Sequence, residues 1–444
     1  MKRTSFILSL LLAFILSNPV VAQQERDSLK QVEYRDSVLM AKISSLPNVL
    51  EIEKLPSSSY YKAKYKIYFK QPLDHNDTTL GFFKQRLFLL HKDFDKPMVF
   101  TTEGYAAEYG NIPFYQNELN SIVDGNEILV EHRYFSESTP KNADWQYLTV
   151  GNAAADHHNI IQTFKQLYTD KWISTGISKG GQTTLYLITF YPEDIDFAVP
   201  YVAPLNYSLE DGRHEPFIDK NGTRKEQKAI RAFQLELLER KDSLMPMFEK
   251  HIDEKDYTFR IPIEEVYDFC VLEYSFAFWQ WVADTEGIPG EDAGKQAIFD
   301  HLISVAGPEY FSIESGEGFL PFFYQAANEL GYYGYDMEPF RDYMDITDTD
   351  DYLSEIFLPD SISDIEFNYR TNSLVFDYLE EGKPKIIAIY GEHDPWTASG
   401  VDVKRKGMIY KFVKENGHHA TRISNMPEKQ KEKILELIEE WLEE

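Results

Sequence analysis

The sequence predicts an α/β fold, a mostly parallel sheet covered by helices and interrupted by one large helical insertion. Three observations carry this expectation. Between residues 96 and 204, short apolar β-branched runs alternate with segments of helical period. From 205 to 379 the alternation stops, and long aromatic helix-like stretches such as "FCVLEYSFAFWQWVAD" take over. At "PKIIAIYGEHDPW" a buried-strand pattern returns, followed by "MIYKFVKENGHHA" and a final amphipathic helix.

The elements follow in chain order. "MKRTSFILSLLLAFILSNPVVAQQ" has the make-up of a cleavable export signal over residues 1–22: Lys2 and Arg3, an apolar core, then Val20-Val21-Ala22. The apolar run is short for a membrane span and ends in Asn18-Pro19, so export to the periplasm or beyond is expected. Residues 23–58 are polar and read as a lead-in. "YYKAKYKIYFKQPL" and "FFKQRLFLLHK", separated by turn-forming residues, predict a hairpin. "KPMVFTTEGY", "NEILVEHRYF", "KWISTG" and "DFAVPYVAP" predict buried strands, and "AAADHHNIIQTFKQLYTD" and "KGGQTTLYLITFYP" predict helices. The catalytic core is therefore expected over 59–204 and 380–444, with a helical cap over 205–379.

Composition narrows the partners. The formal charge is −28, and removal of Lys2 and Arg3 with the signal makes it −30. Nucleic acid and anionic membranes both reward positive patches, so neither is an expected partner. Cys270 is the only cysteine, so no internal disulfide can form, and its apolar surroundings predict a buried side chain.

One motif carries chemistry. Gly176-Ile177-Ser178-Lys179-Gly180 is G-x-S-x-G placed where a strand turns into a helix. A turn that tight needs glycine on both flanks, and it lifts the serine hydroxyl above the sheet. The backbone N–H of Lys179 then faces the position where a tetrahedral oxyanion would form. Serine needs a base, and the base needs an orienting acid. Asp394, at the end of one late strand, and Gly417-His418-His419, after the next, supply both in order. Adjacent histidines diverge, so one of the two faces Ser178; His418 is expected there, with His419 behind it. A second oxyanion donor is expected from "VFTTEGYAAEYG", at the N–H of Gly104 or Tyr105. The clusters Asp156-His157-His158, His393-Asp394 and His418-His419 lack metal-ligand spacing, and no dinucleotide or phosphate loop is present. No metal or cofactor is expected.

Several segments taken together extend this reading. "KQPLDHND", "FKQRL", "VEHRYFSESTP", "YLTVGNAAAD", "GISKGG", "YQAANELGYYGYD", "GEHDPW" and "GHHATRI" occur in the order of landmarks in two related serine exopeptidase groups. The chain resembles the prolyl carboxypeptidase and dipeptidyl peptidase group, and the secreted bacterial tripeptidyl aminopeptidase family. The former usually has Gly-Gly-Ser-Tyr-Gly-Gly at the elbow and carries cysteines that this chain lacks, so the tripeptidyl branch is the better match. The resemblance implies an α/β-hydrolase core, a Ser178–Asp394–His418 triad and peptide substrates containing proline. An aminopeptidase of this kind also needs an anion for the substrate's free amine, for which Glu103 and Glu329 are the candidates. Trp396 is the candidate aromatic contact for substrate. An esterase or lipase on the same scaffold is the first rival expectation, and a non-catalytic exported binding protein the second.

Overall fold

The computed structural model describes residues 37–142, 144–282, 284–403 and 407–444. The expected export signal and the start of the lead-in lie outside these residues. Among the described residues, nine strands form a single sheet: β1 (Val49–Leu55), β2 (Ala63–Pro72), β3 (Phe82–His91), β4 (Met98–Thr102), β5 (Asn126–Val130), β6 (Trp172–Ile177), β7 (Phe197–Tyr201), β8 (Ile386–Gly391) and β9 (Ile409–Lys414). Their spatial order is β1-β2-β3-β5-β4-β6-β7-β8-β9. The hairpin of β2 and β3 pairs Ala63 with His91 and Pro72 with Phe82. From β5 to β9 every neighbouring pair is parallel. Part of the lead-in is structural: β1 pairs antiparallel with β2, and Leu39, Ile43 and Leu46 are buried beneath it.

The parallel strands are apolar on both faces because both faces are covered. Side chains alternate, so Val99, Ile173, Val199 and Ile387 meet Ile434, Leu437 and Trp441 of the C-terminal helix. Phe100, Ile128, Ala198 and Ala388 face the other layer, with Ile160, Ile161 and Leu185. The helices of ten residues or more among the described residues are α1 (Val150–Phe164), α2 (Lys179–Phe190), α3 (Arg224–Glu239), α4 (Lys241–Lys255), α5 (Ile263–Trp281), α6 (Lys295–Ala306), α7 (Tyr369–Glu380) and α8 (Glu428–Glu443).

The insertion between β7 and β8 has its own aromatic core. Helix α5 runs through its middle, burying Tyr267, Phe269, Tyr274, Phe278 and Trp279 among α3, α4 and α6. Cys270 is buried there too. Helix α7 lies inside the range expected for the cap, yet it packs on α2 and buries Val375 and Leu379 with residues of the sheet. The strand order, with a strand–turn–helix elbow at its centre, is that of an α/β-hydrolase.

Candidate active site

Strand β6 feeds α2 through Ser178, whose backbone takes φ 55° and ψ −123°. A non-glycine residue at positive φ is strained, and it is held here by its surroundings. Its N–H donates to Tyr201 O at 2.9 Å. A Cβ on Gly176 would come within 2.3 Å of the Gly180 backbone, and one on Gly180 within 2.6 Å of Thr102 O. The turn therefore closes only with glycine at both positions. No side chain caps α2, so the amides that begin it, Lys179 first, remain at the end of the helix dipole beside the serine.

Strand β8 ends at Gly391, and Asp394 follows it, fully buried. One carboxylate oxygen, Oδ1, accepts from Trp396 N at 3.2 Å. The other, Oδ2, lies 2.8 Å from Nδ1 of His419. The histidine expected at this place was His418, so the structure corrects the choice within the pair. The reason is a contact from the insertion: the His419 N–H donates to Gln280 O near the end of α5, at 3.1 Å, and its ring turns inward. His418 stays partly exposed, and its Nδ1 accepts from Ala420 N at 3.3 Å. Nε2 of His419 has no hydrogen-bond partner among the described residues.

The loop after β4 brings Gly104 and Tyr105 against the elbow. Of the two amides expected as oxyanion donors, that of Gly104 is already engaged: it donates to Oε1 of Glu103 at 3.0 Å. Tyr105, whose amide the Glu103 carboxylate also draws on, lines the same cavity as Ser178 and Lys179. Glu103 itself is not among the residues lining that cavity. Its second oxygen accepts from Tyr109, and burial raises its pKa. It is a buttress of the loop rather than a surface for substrate.

Glu329 is also placed elsewhere. It is buried, with Oε2 accepting from Val150 N at 2.6 Å and Oε1 from Thr371 Oγ1 at 3.0 Å. It caps α1 and ties it to α7, which accounts for both of its oxygens. Trp396, by contrast, does line the cavity, packed against Phe276 and Tyr332 at ring separations of 5.2 Å.

The cavity has a volume of about 310 Å³ and is built from both parts of the chain. The core supplies Tyr105, Ser178, Lys179 and Trp396; the insertion supplies Glu273, Trp281, Glu309, Tyr332 and Tyr333. Glu273 and Glu309 are acids of this lining that the sequence reading missed, and Glu273 is the more deeply buried. Its Oε2 accepts from the hydroxyls of Tyr333 and Tyr335, both at 2.8 Å, while Oε1 has no partner among the described residues. Burial pushes its pKa up to about 7, against the pull of the two phenols. A signal was present: the lone carboxylate inside the apolar run "FCVLEYSFAFW" needs a reason to be there.

The other acid–histidine clusters are separate. Asp156 pairs with Arg133 and His75, and His158 with Asp194. Among the described residues, no three His, Cys, Asp or Glu side chains are grouped to hold a metal.

The chain is 28% identical over 453 residues to the prolyl tri/tetrapeptidyl aminopeptidase of Streptomyces mobaraensis, covering 99% of this chain and 91% of that one. Among solved structures, the proline iminopeptidase of Mycobacterium smegmatis matches with a TM-score of 0.42 and 12% identity, over 84% of this chain and 98% of that one. An acetyl xylan esterase from Paenibacillus sp. R4 matches with a TM-score of 0.39 and 9% identity, over 91% and 93%. The family described as PS-10 peptidase S37 matches residues 30–443, nearly the whole sequence. The chain belongs to that family and is a serine peptidase.

Proposed function

We propose that the protein is an exported exopeptidase that releases short N-terminal fragments, tripeptides foremost, from peptides with a free amine and a proline near the cut. The observation that carries this reading is one cavity lined by both Ser178 and Glu273, the latter with a carboxylate oxygen left open. A buried carboxylate without a full set of partners is costly, and a substrate ammonium would offset that cost.

In the reaction, His419 Nε2 takes the Ser178 Oγ proton, and Asp394 holds the imidazole through Nδ1. Oγ attacks the carbonyl carbon, and the carbonyl oxygen becomes an oxyanion facing the Lys179 and Tyr105 amides. The C–N bond then breaks as His419 gives its proton to the leaving amine, which departs as the shortened peptide. Water, deprotonated by the same imidazole, attacks the acyl-enzyme and frees the N-terminal fragment. Trp396, Tyr332 and Tyr333 offer flat apolar walls suited to a proline ring. The name of the Streptomyces mobaraensis relative supports both the proline preference and the fragment length. The composition of residues 1–22 supports export.

Mass spectrometry of digests tests this directly. Peptides with free or acetylated N-termini, with and without an internal proline, are incubated with the mature enzyme. A fixed short fragment should be released from free-amine, proline-containing peptides far faster than from the others. Cleavage indifferent to acetylation would overturn the exopeptidase reading, and cleavage indifferent to proline would overturn the preference.

A further inference from the structure

The elbow carries a residue that the reaction above uses only through its backbone. The side chain of Lys179 is 3% exposed, far from the water a lysine ordinarily keeps. Its Nζ donates to Gly104 O at 2.5 Å and lies over the rings of Tyr105 and Phe135, 5.5 and 5.3 Å from their centroids. Burial lowers its pKa to about 7, with the attraction of Glu103 opposing that shift. The contact continues along the stem: a Cβ on Gly104 would meet Lys179 Cβ at 2.7 Å and Cγ at 2.8 Å. The loop and the elbow are thus pressed together, with an ammonium closing the joint.

We infer that Lys179 is a positioning residue for the hydrolysis, holding the Gly104–Tyr105 peptide by its carbonyl so that the Tyr105 N–H serves as second oxyanion donor. This rests on the reading of Ser178 as the nucleophile. The carbonyl of Gly104 and the N–H of Tyr105 belong to one planar peptide unit, and in the trans form they point in opposite directions. Fixing the first fixes the second. A positive donor on the carbonyl also polarises the unit and strengthens its N–H as a donor.

The charge has a second effect. Glu103 accepts from Gly104 N and draws on the Tyr105 amide as well. A bare carboxylate at that place would compete with an oxyanion for the same N–H and repel it. Lys179 offsets that charge. Packing alone would need only the aliphatic stem, since methionine fills a similar volume without burying an ammonium.

The test therefore starts from Lys179→Met in the full mature enzyme. Its kcat should fall about 100-fold, the scale of losing one oxyanion donor, with KM changed by less than about threefold. Affinity for a peptide boronic acid, which forms a tetrahedral adduct on serine, should fall by a similar factor, while affinity for the product peptide holds. Adding Glu103→Gln to Lys179→Met should recover about tenfold in kcat, because the uncompensated charge is gone. Thermal melting accompanies each variant. If the methionine variant does not fold, Lys179→Gln, which keeps an amide donor on a shorter arm, should show the same loss confined to kcat and boronate affinity. Wild-type kcat in a folded variant would overturn the inference, as would equal losses in kcat, boronate and product affinity. Wild-type enzyme and Ser178→Ala are run alongside. A wild-type enzyme that binds the boronate yet cleaves no peptide contradicts the exopeptidase reading, and the boronate series still decides the role of Lys179.

Discussion

At His419 the imidazole Nδ1 sits 2.8 Å from Asp394 Oδ2 while the backbone N–H donates to Gln280 O, so the residue is fixed from the core and the insertion together. Replacing it should remove the base: His419→Ala is expected to lower kcat by about 10⁴-fold. His418→Ala, at a partly exposed side chain without the aspartate, should cost less than about fivefold. Steady-state kinetics on the two folded variants decide between them, and the reverse ranking would refute the assignment. The placement of Ser178 at an elbow and of Asp394 just past a strand was legible in the sequence because strand end and turn are written in neighbouring residues. The choice between two adjacent histidines was not, since Gln280, which orients the second, lies far upstream. Glu329 looked like a free acid for the same reason: its partners Val150, and Asn368 with Thr371, come from two segments distant in the chain.

Strands were the most legible elements, because a run buried on both faces is largely apolar, as β7 and β8 are. Strand β1 was not legible: as an edge strand with one neighbour it alternates charged residues, and its pairing with β2 decides its form. In β5 an ionisable residue interrupts the apolar pattern. Glu127 in β5 is fully buried, with Oε1 accepting from Thr101 and Tyr115, both at 2.9 Å, and Oε2 from Asn120. Burial pushes its pKa up to about 7, despite these hydrogen bonds. The native state therefore holds the proton more tightly than the unfolded chain does. Its stabilising share is present in full below the unfolded value near 4.5 and is lost as pH rises through about 7. Glu127→Gln should remove that slope, and the unpartnered Asn120 Oδ1 can accept from the new amide once the Asn120 side chain turns over. The variant should match wild type near pH 4.5 and exceed it at pH 8, by on the order of 2 kcal/mol in urea unfolding. Parallel pH dependences for the two proteins would contradict this.

At the scale of the whole molecule, the chain folds as a hydrolase sheet whose insertion returns to complete the site. The aromatic composition of residues 205–379 made a helical cap legible, but not which of its residues would face Ser178. That depends on how α5 and the segment after residue 305 lie over the elbow, a matter of long-range packing that no local pattern encodes. Among the described residues no helix is long and apolar enough to cross a membrane. The central claim is that core and insertion divide the work, with Ser178 cutting and Glu273 gripping the free amine. The ratio of kcat/KM for a free-amine peptide to that for its acetylated twin, in wild type and in Glu273→Gln, measures it most directly. Wild type should favour the free amine by about 100-fold between about pH 7 and 8, where the carboxylate is charged and the α-amine is still protonated, and by less as pH falls through about 7. In Glu273→Gln the ratio should collapse toward one at every pH, with hydrolysis of the acetylated peptide retained. A ratio that survives the substitution would contradict the account.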